Sequence, residues 1–286
     1  MIAKRQTITN KEITRLVRAA LKEDSCNNDI TTRGLIPNDK ISSGTIIARE
    51  DAVICGITLV KEVFKALDPK AQFKAARNDG NMVKKNDTVI TIKCKTRALL
   101  SGERTALNFL AYFSGIATMT HQYVKTIRPY KAAIMDTRKT LPGLRVLAKM
   151  AVRLGGGVNH RFCLNEMVLI KDNHRLANKK NLSMPDAIRL MKKKTKKPII
   201  VEVDTLDQFE EDIEAHPDVI LLDNMTTQQI QKAVVLNKKH KKPCLLEASG
   251  GITLQNVKAV AKTGVDRISI GALTHSSKDI DFSMEF

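Results

Sequence analysis

Two stretches of this chain read as near copies: Lys196-Lys197-Pro198-Ile199-Ile200-Val201-Glu202 and Lys241-Lys242-Pro243-Cys244-Leu245-Leu246-Glu247. Each passes from a basic helix end through proline into an apolar run that stops on glutamate. Between them lies Asp218-Val219-Ile220-Leu221-Leu222-Asp223. Upstream come Ala132-Ala133-Ile134-Met135-Asp136 and Glu166-Met167-Val168-Leu169-Ile170-Lys171, and downstream Val265-Asp266-Arg267-Ile268-Ser269-Ile270-Gly271. Every run is followed by polar residues and then a helix-like segment. Six strands alternating with helices predict a parallel sheet covered by helices, an α/β fold. Charge at the strand ends predicts a barrel, because parallel barrels carry their chemistry at the C-terminal ends of the strands. Six strands make it an incomplete relative of the eight-stranded form; an open doubly wound sheet is the alternative.

Outward from that region, the first 114 residues have a different organisation. Ile13, Leu16, Val17, Ala20 and Leu21 recur at helical spacing over 11–23. Strand-like runs follow at Thr45–Ala48, Ala52–Cys55 and Thr88–Lys93, separated by turns such as Asn78-Asp79-Gly80-Asn81. A second helix is expected from about Ser101 to Ala117. These elements predict a small α+β domain.

Composition narrows the function classes. With 286 residues and 43% hydrophobic content the chain can bury a full core, which excludes disorder. Its net charge of +18 favours anionic partners. Aromatic residues make up only 4%, and no Phe or Tyr platform is interleaved with Lys or Arg, which argues against nucleic acid. The lysine runs 192–197 and 238–242 fall at helix ends and read as a solvated face. Cys26, Cys55, Cys94, Cys163 and Cys244 are scattered and never spaced as CxxC, so neither a disulfide framework nor a zinc site is expected. No apolar run is long enough to span a bilayer, and a reducing cytoplasm is the default compartment.

The candidate site lies at the strand ends: Asp136, Arg138 and Lys139; Lys171 and Asp172; Glu202 and Asp204; Asp223 and Asn224; Glu247 with Ser249-Gly250-Gly251; and Gly271. Such a ring suits a polyanionic substrate accompanied by a divalent metal, since Arg and Lys neutralise carboxylate or phosphate while carboxylates hold hydroxyls or metal-bound water. The bland alternative, solvated loop charges, accounts for any single residue more easily than for charge at nearly every strand end. Ser249-Gly250-Gly251 precedes a helix expected near Thr253, a place where backbone amides favour phosphate, although a tight turn also calls for glycine. Gly155-Gly156-Gly157 leads into Asn159-His160-Arg161, so a flexible loop delivers an imidazole and a guanidinium; it lacks the GxGxxG spacing of dinucleotide binders.

Three blocks taken together carry a resemblance. They are Asp136-Thr137-Arg138-Lys139-Thr140-Leu141-Pro142-Gly143-Leu144-Arg145, Gly155-Gly156-Gly157-Val158-Asn159-His160-Arg161 and Val168-Leu169-Ile170-Lys171-Asp172-Asn173-His174. They resemble the quinolinate phosphoribosyltransferase family, also called nicotinate-nucleotide pyrophosphorylase (carboxylating). Glu202-Val203-Asp204, Leu222-Asp223-Asn224 and Glu247-Ala248-Ser249-Gly250-Gly251-Ile252 continue the match. So do Glu23-Asp24, Asp29-Ile30-Thr31-Thr32 and Ser101-Gly102-Glu103-Arg104-Thr105-Ala106-Leu107-Asn108. Two positions depart from the pattern: 24–29 lacks the usual glycines, and Val158 stands where lysine is common.

The resemblance implies an N-terminal α/β sandwich domain over 1–114 and a TIM-like, incomplete six-stranded α/β barrel over 115–274, with the tail 275–286 returning to the first domain. It implies a homodimer, or a larger assembly such as a hexamer, in which Arg104 of one protomer reaches its partner's site. Arg104, Arg138, His160, Arg161 and Lys171 would surround the two quinolinate carboxylates. Lys139, Lys171 and His275 would face pyrophosphate, Glu202 and Asp223 the ribose hydroxyls and Mg2+ through water, and Ser249, Gly250, Gly251 and Gly271 the 5′-phosphate. Lys139, Lys171, Glu202 and Asp223 carry the catalytic roles. The implied reaction joins quinolinate to phosphoribosyl pyrophosphate. A nicotinate-using relative, a paralogue tied to molybdate transport and a basic nucleic-acid-binding protein are the rivals. A monoacid acceptor would leave cations of this cluster unpaired.

Overall fold

The computed structural model describes residues 8–177 and 182–286, so the first seven residues of the expected N-terminal domain lie outside the described residues. Chain contacts divide these into two compact units. One comprises residues 8–121, Pro142–Gly156 and Ser276–Phe286. The other comprises Gln122–Leu141 and Gly157–His275, less the four residues 178–181.

In the first unit, helix α1 (Asn10–Glu23) starts on a capping box between Thr9 and Glu12 and turns Ile13, Val17 and Leu21 inward. Helix α2 (Ile30–Leu35), strands β1 (Ile41–Ala48) and β2 (Ala52–Val53), and helix α3 (Ile57–Leu67) follow. Next come β3 (Gln72–Ala75), β4 (Met82–Val83), β5 (Thr88–Lys95) and the long helix α4 (Thr96–Thr126). β1 pairs antiparallel with β5 on one edge and with the tail segment Phe282–Glu285 on the other, and β3 completes a four-stranded sheet. Alternation along β1 and β5 buries Ile46, Ala48, Ile90 and Ile92, and α3 and α4 bury Val60, Phe64, Leu110 and Phe113. α5 (Arg145–Leu154) belongs to the same unit.

The second unit is built on β6 (Ala133–Met135), β7 (Val168–Ile170), β8 (Ile199–Val203), β9 (Val219–Asp223), β10 (Leu245–Ser249) and β11 (Arg267–Ser269). All pair in parallel, in the order β6-β11-β10-β9-β8-β7. Sequence neighbours are therefore spatial neighbours, and the last strand returns to the first. That is the winding of a barrel rather than of a doubly wound sheet. β8 is buried on both faces, which is why its sequence is apolar apart from Glu202. Crossover helices include α6 (Asp172–Leu176), α7 (Met184–Lys194), α8 (Leu206–Ile213), α9 (Thr227–Lys239) and α10 (Val257–Lys262), and the short α11 (Ala272–His275) follows the last strand. Ser183, Thr205 and Thr226 cap α7, α8 and α9, and Lys192–Lys194 and Lys238–Lys239 occupy last turns, where the helix dipole favours cations.

The barrel is incomplete at one place. β6 and β7 do not pair; instead Val158 lies beside β6, donating its N–H to Ile134 O at 2.8 Å and accepting from Asp136 N at 3.2 Å. The Asn159-His160-Arg161 segment enters the barrel mouth from this opening. Among the described residues no helix is long and apolar enough to cross a membrane.

Candidate active site

The C-terminal ends of all six strands face one cavity of about 700 Å³. β6 contributes Arg138 and Lys139, β7 Lys171, β8 Glu202, β9 Asp223 and Asn224, β10 Glu247 with Ser249 to Gly251, and β11 Gly271 followed by His275. His160 and Arg161 line it from the opening. Of the residues given a substrate role, all belong to this lining except Arg104, which is exposed on α4 in the other unit; of the further strand-end charges, Asp136, Asp172 and Asp204 are not part of it. A second cavity of about 600 Å³ lies at the strand starts. Its aspartates accept strand amides, Ile199 N to Asp218 and Leu246 N to Asp266, each at 2.8 Å, so charge there serves to hold the strands.

Two buried carboxylates hold the His160–Arg161 segment. Asp136, at the end of β6, accepts from Asn159 Nδ2 at 2.6 Å and from the His160 N–H at 2.8 Å. Glu247, on β10, has its Oε1 3.3 Å from His160 Nε2 and accepts from the Ser269 hydroxyl as well. His160 Nδ1 in turn accepts the Arg161 N–H at 2.8 Å. Both ring nitrogens thus face protein partners. Direct donation from His160 to a substrate carboxylate, the expectation from sequence, is not what this geometry offers; the ring sits between Glu247 and the arginine's backbone.

Arg161 is 7% exposed and donates from Nη1 to Met167 O at 3.1 Å. Burial, and then the neighbouring Arg138 charge, lower its pKa. Two guanidinium groups kept close along one cavity wall form a site ready for an anion. On the facing side Lys171 Nζ lies 2.6 Å from Glu202, which is itself 7% exposed. Arg175 braces that strand end, donating to Glu202 O at 3.0 Å and to the buried Asp212. Asn224 Nδ2 donates to Asp223 at 2.6 Å.

The glycine turn differs in detail from expectation. α10 begins at Val257 instead of near Thr253, so the amides offered to a ligand are those of the turn itself. Gly250 and Gly251 take φ of +89° and +60°. Asn256 fastens the turn, donating from Nδ2 to Gly251 O at 2.8 Å and accepting from Thr253 N at 2.8 Å. Gly271 permits a close approach: a Cβ there would stand 3.0 Å from Lys139 Cδ and 3.1 Å from His275 Nε2. Thr274 Oγ1 donates to Lys139 O at 2.6 Å and steadies that loop.

Asp136 and Glu247 were expected in the ring as holders of hydroxyls or metal-bound water rather than as braces for a loop, and Asn159, Arg175, Asp212, Asn256, Arg267 and Ser269 were given no role by the sequence reading. The signal for some of them was present. Asp136, Glu247 and Arg267 are charges placed within apolar strands, where a charge needs a partner. The Arg175–Asp212 pair has no comparable sign, because its members come from separate helices.

Comparison with known proteins adds a lineage to the geometry. The pattern "Quinolinate phosphoribosyl transferase, C-terminal domain" matches residues 116–285, and its N-terminal counterpart matches 29–114. A nicotinate-nucleotide pyrophosphorylase [carboxylating] from Mycobacterium leprae is 41% identical, over 94% of this chain and 95% of its own. A probable nicotinate-nucleotide pyrophosphorylase [carboxylating] from Bacillus subtilis is 38% identical, over 96% and 93%. The solved nicotinate-nucleotide pyrophosphorylase of Francisella tularensis superposes with a TM-score of 0.91 at 38% identity, covering 98% of this chain and 97% of that one.

Proposed function

Because this chain belongs to the quinolinate phosphoribosyltransferase family, we propose that it converts quinolinate and phosphoribosyl pyrophosphate into nicotinate mononucleotide, pyrophosphate and carbon dioxide, in de novo NAD biosynthesis. It is a pentosyltransferase. The observation that carries the substrate assignment is the meeting of Arg138, Arg161, Lys139 and Lys171 with Glu202 and Asp223 around one cavity.

In this reading Arg138 and Arg161 grip the acceptor carboxylates in two-point fashion. Lys139 and Lys171 neutralise the pyrophosphate, with His275 near it, and Lys171 exchanges its contact with Glu202 for substrate. Glu202 and Asp223 accept the ribose hydroxyls. The Ser249–Gly251 turn and Gly271 receive the 5′-phosphate. The pyridine nitrogen attacks the anomeric carbon as pyrophosphate departs, and the positive charge growing on the ribosyl centre faces the two carboxylates. Alignment and fixed charge supply the catalysis, with no protein nucleophile. The positive charge of the quaternary ring nitrogen then stabilises the electron pair left on the adjacent ring carbon when the 2-carboxylate leaves as carbon dioxide, and that carbon uses the pair to take a proton from solvent.

Magnesium fits the donor chemistry in a particular way. Among the described residues no group of three or more His, Cys, Asp or Glu side chains is arranged to hold a metal. Magnesium, however, commonly takes one or two carboxylates together with substrate phosphates and water. Glu202 and Asp223 would hold it, and when bound it would neutralise charge on the leaving pyrophosphate.

The wider assignment follows the same lineage: functional domains over 1–114 and 115–274, with 275–286 returning to the first, and a homodimer or hexamer in which Arg104 completes the partner's site. Five cysteines without a disulfide accord with a reducing cytoplasm. The test is to incubate purified protein with phosphoribosyl pyrophosphate, magnesium and either quinolinate or nicotinate. Nicotinate mononucleotide with equimolar carbon dioxide from quinolinate alone is the expected result. Turnover of nicotinate alone supports the monoacid rival, and no turnover with tight, steeply salt-dependent retention of DNA or RNA supports the nucleic-acid one.

A further inference from the structure

Glu247 has no solvent exposure and stands at the centre of the barrel, between the cavity and the opposite strand ends. A carboxylate so placed depends on nearby donors and positive charge. Its partners come from three directions. His160 Nε2 lies 3.3 Å from Oε1 on the cavity side and the Ser269 hydroxyl donates to the same oxygen, whereas Oε2 accepts no hydrogen bond and has only the Arg267 charge, Nη1 at 4.0 Å, beside it. Arg267 is also its register neighbour across the β10–β11 pairing, so their side chains share a sheet face. Burial pushes the Glu247 pKa up, but the hydrogen bond and charge of His160, then Ser269 and Arg267, outweigh it and leave the net shift downward.

The Arg161 amide fixes the imidazole. A backbone amide can only donate, so the Arg161 N–H at 2.8 Å requires a bare Nδ1. The ring proton is therefore on Nε2, aimed at the carboxylate. The arrangement is directional: with the proton on Nδ1, that nitrogen would oppose the Arg161 amide and Nε2 would oppose Glu247. Asp136 holds the preceding amide, at His160, so the two carboxylates fix consecutive peptides.

We propose that Glu247 is a positioning residue for the carboxylate-binding end of the site: it sets the His160 tautomer, and through the Nδ1 contact sets where the Arg161 guanidinium stands. Arg267 and Ser269 hold Glu247 in turn. The inference rests on the quinolinate reading for the identity of the ligand that feels the change. A purely structural role for Glu247 predicts equal damage to both substrates, whereas positioning of Arg161 predicts damage to one. Arg161 grips the acceptor in ground and transition states alike, so the loss belongs in KM rather than kcat.

Glu247→Gln keeps the shape and removes the charge, and Glu247→Gln with Arg267→Gln removes both charges together in case the single variant does not fold. In the folded variant the KM for quinolinate rises by about ten- to a hundredfold, the scale of one charge-assisted hydrogen bond. The KM for phosphoribosyl pyrophosphate stays within about twofold and kcat within about threefold, as expected for loss of uniform binding. Quinolinate KM unchanged, or both KM values rising together, overturns the proposal. A second measurement needs no Glu247 variant: 15N NMR of histidine-labelled wild type, with His160 assigned from the signals missing in His160→Asn. A proton on Nε2 and a bare Nδ1 are expected, and protonation at Nδ1 overturns the proposal. If the wild type does not use quinolinate, the functional reading fails by itself, while the NMR result still decides the tautomer.

Discussion

Gly250 and Gly251 allow a controlled perturbation, because the same methyl group meets different surroundings at adjacent positions. Both glycines are at positive φ, so Ala at either incurs left-handed strain of about 1–2 kcal/mol. At Gly251 the added Cβ has no heavy atom within 4 Å. At Gly250 it would stand 2.8 Å from Asn224 N and closer still to the Asn224 side-chain amide. Asn224 cannot retreat easily: its N–H donates to Ser249 O at 2.9 Å, its Nδ2 donates to Asp223 at 2.6 Å, and its own φ is +53°. Overpacking of this kind adds about 1–3 kcal/mol, so Gly250→Ala should cost about 2–5 kcal/mol in all. Part appears as lost stability and part as displacement of Asp223 and the turn. Thermal melts and steady-state kinetics of both variants separate the two. Gly250→Ala should lose several degrees of Tm and raise the KM for phosphoribosyl pyrophosphate about tenfold or more, with Gly251→Ala staying within about threefold. Equal effects at the two positions, or a worse Gly251→Ala, would refute the argument from close approach.

Three further expectations follow from other parts of the molecule. Asp136→Asn puts an amide donor against either Asn159 Nδ2 or the His160 N–H, and should weaken quinolinate binding by about 3 kcal/mol, roughly a hundredfold in KM; an unchanged KM counts against the anchoring role. Burial, offset in part by Arg175, raises the Asp212 pKa to about 6, above the ordinary 3.8. The native state then keeps this proton longer than the unfolded chain does, so stability falls as pH rises between those values, by at most about 3 kcal/mol, and levels off above; denaturant titrations of Asp212→Asn should lack that slope, and an identical slope would exclude Asp212 as its source. If protomers share sites, inactive Arg104→Ala and Lys139→Ala proteins refolded together should recover about a quarter of wild-type activity, since half the dimers are mixed and each has one intact site; no recovery on mixing means that each site is built from one chain.

The barrel was legible because its signal is repetitive. Pro198 to Glu202 and Pro243 to Glu247 announce the same unit twice, and charged strand ends locate one mouth of the sheet. The N-terminal unit was less legible. Gln72–Ala75 became a strand although it buries almost nothing, because β5 offered it an edge. The tail strand Phe282–Glu285 pairs with β1 across more than two hundred residues, a contact that no local pattern encodes. α4 extends well beyond the helix expected at 101–117, running from Thr96 to Thr126. Within the site, the ligand-facing cations could be read from residue type, but the groups behind them could not. Arg175 on α6 and Asp212 on α8 meet only in the folded chain, and Asn256 reaches back five residues to the glycine turn.

That asymmetry has a physical reason. A site for a dianion must hold cations together before the ligand arrives, and Arg138 beside Arg161 is an unfavourable arrangement while empty. Long side chains left to themselves would move apart into water and bind only after paying that reorganisation back. The opening between β6 and β7 prevents it. In a closed barrel the edge of β6 would be used by a neighbouring strand; here it receives Val158, and the next three residues are fastened by Asp136 and Glu247. The missing strand pairing therefore supplies the place where a cation-bearing segment can be fixed from beneath by negative charge. The repulsion is overcome during folding, by bonds that do not involve substrate, so less of the acceptor's binding energy is consumed in assembling the site.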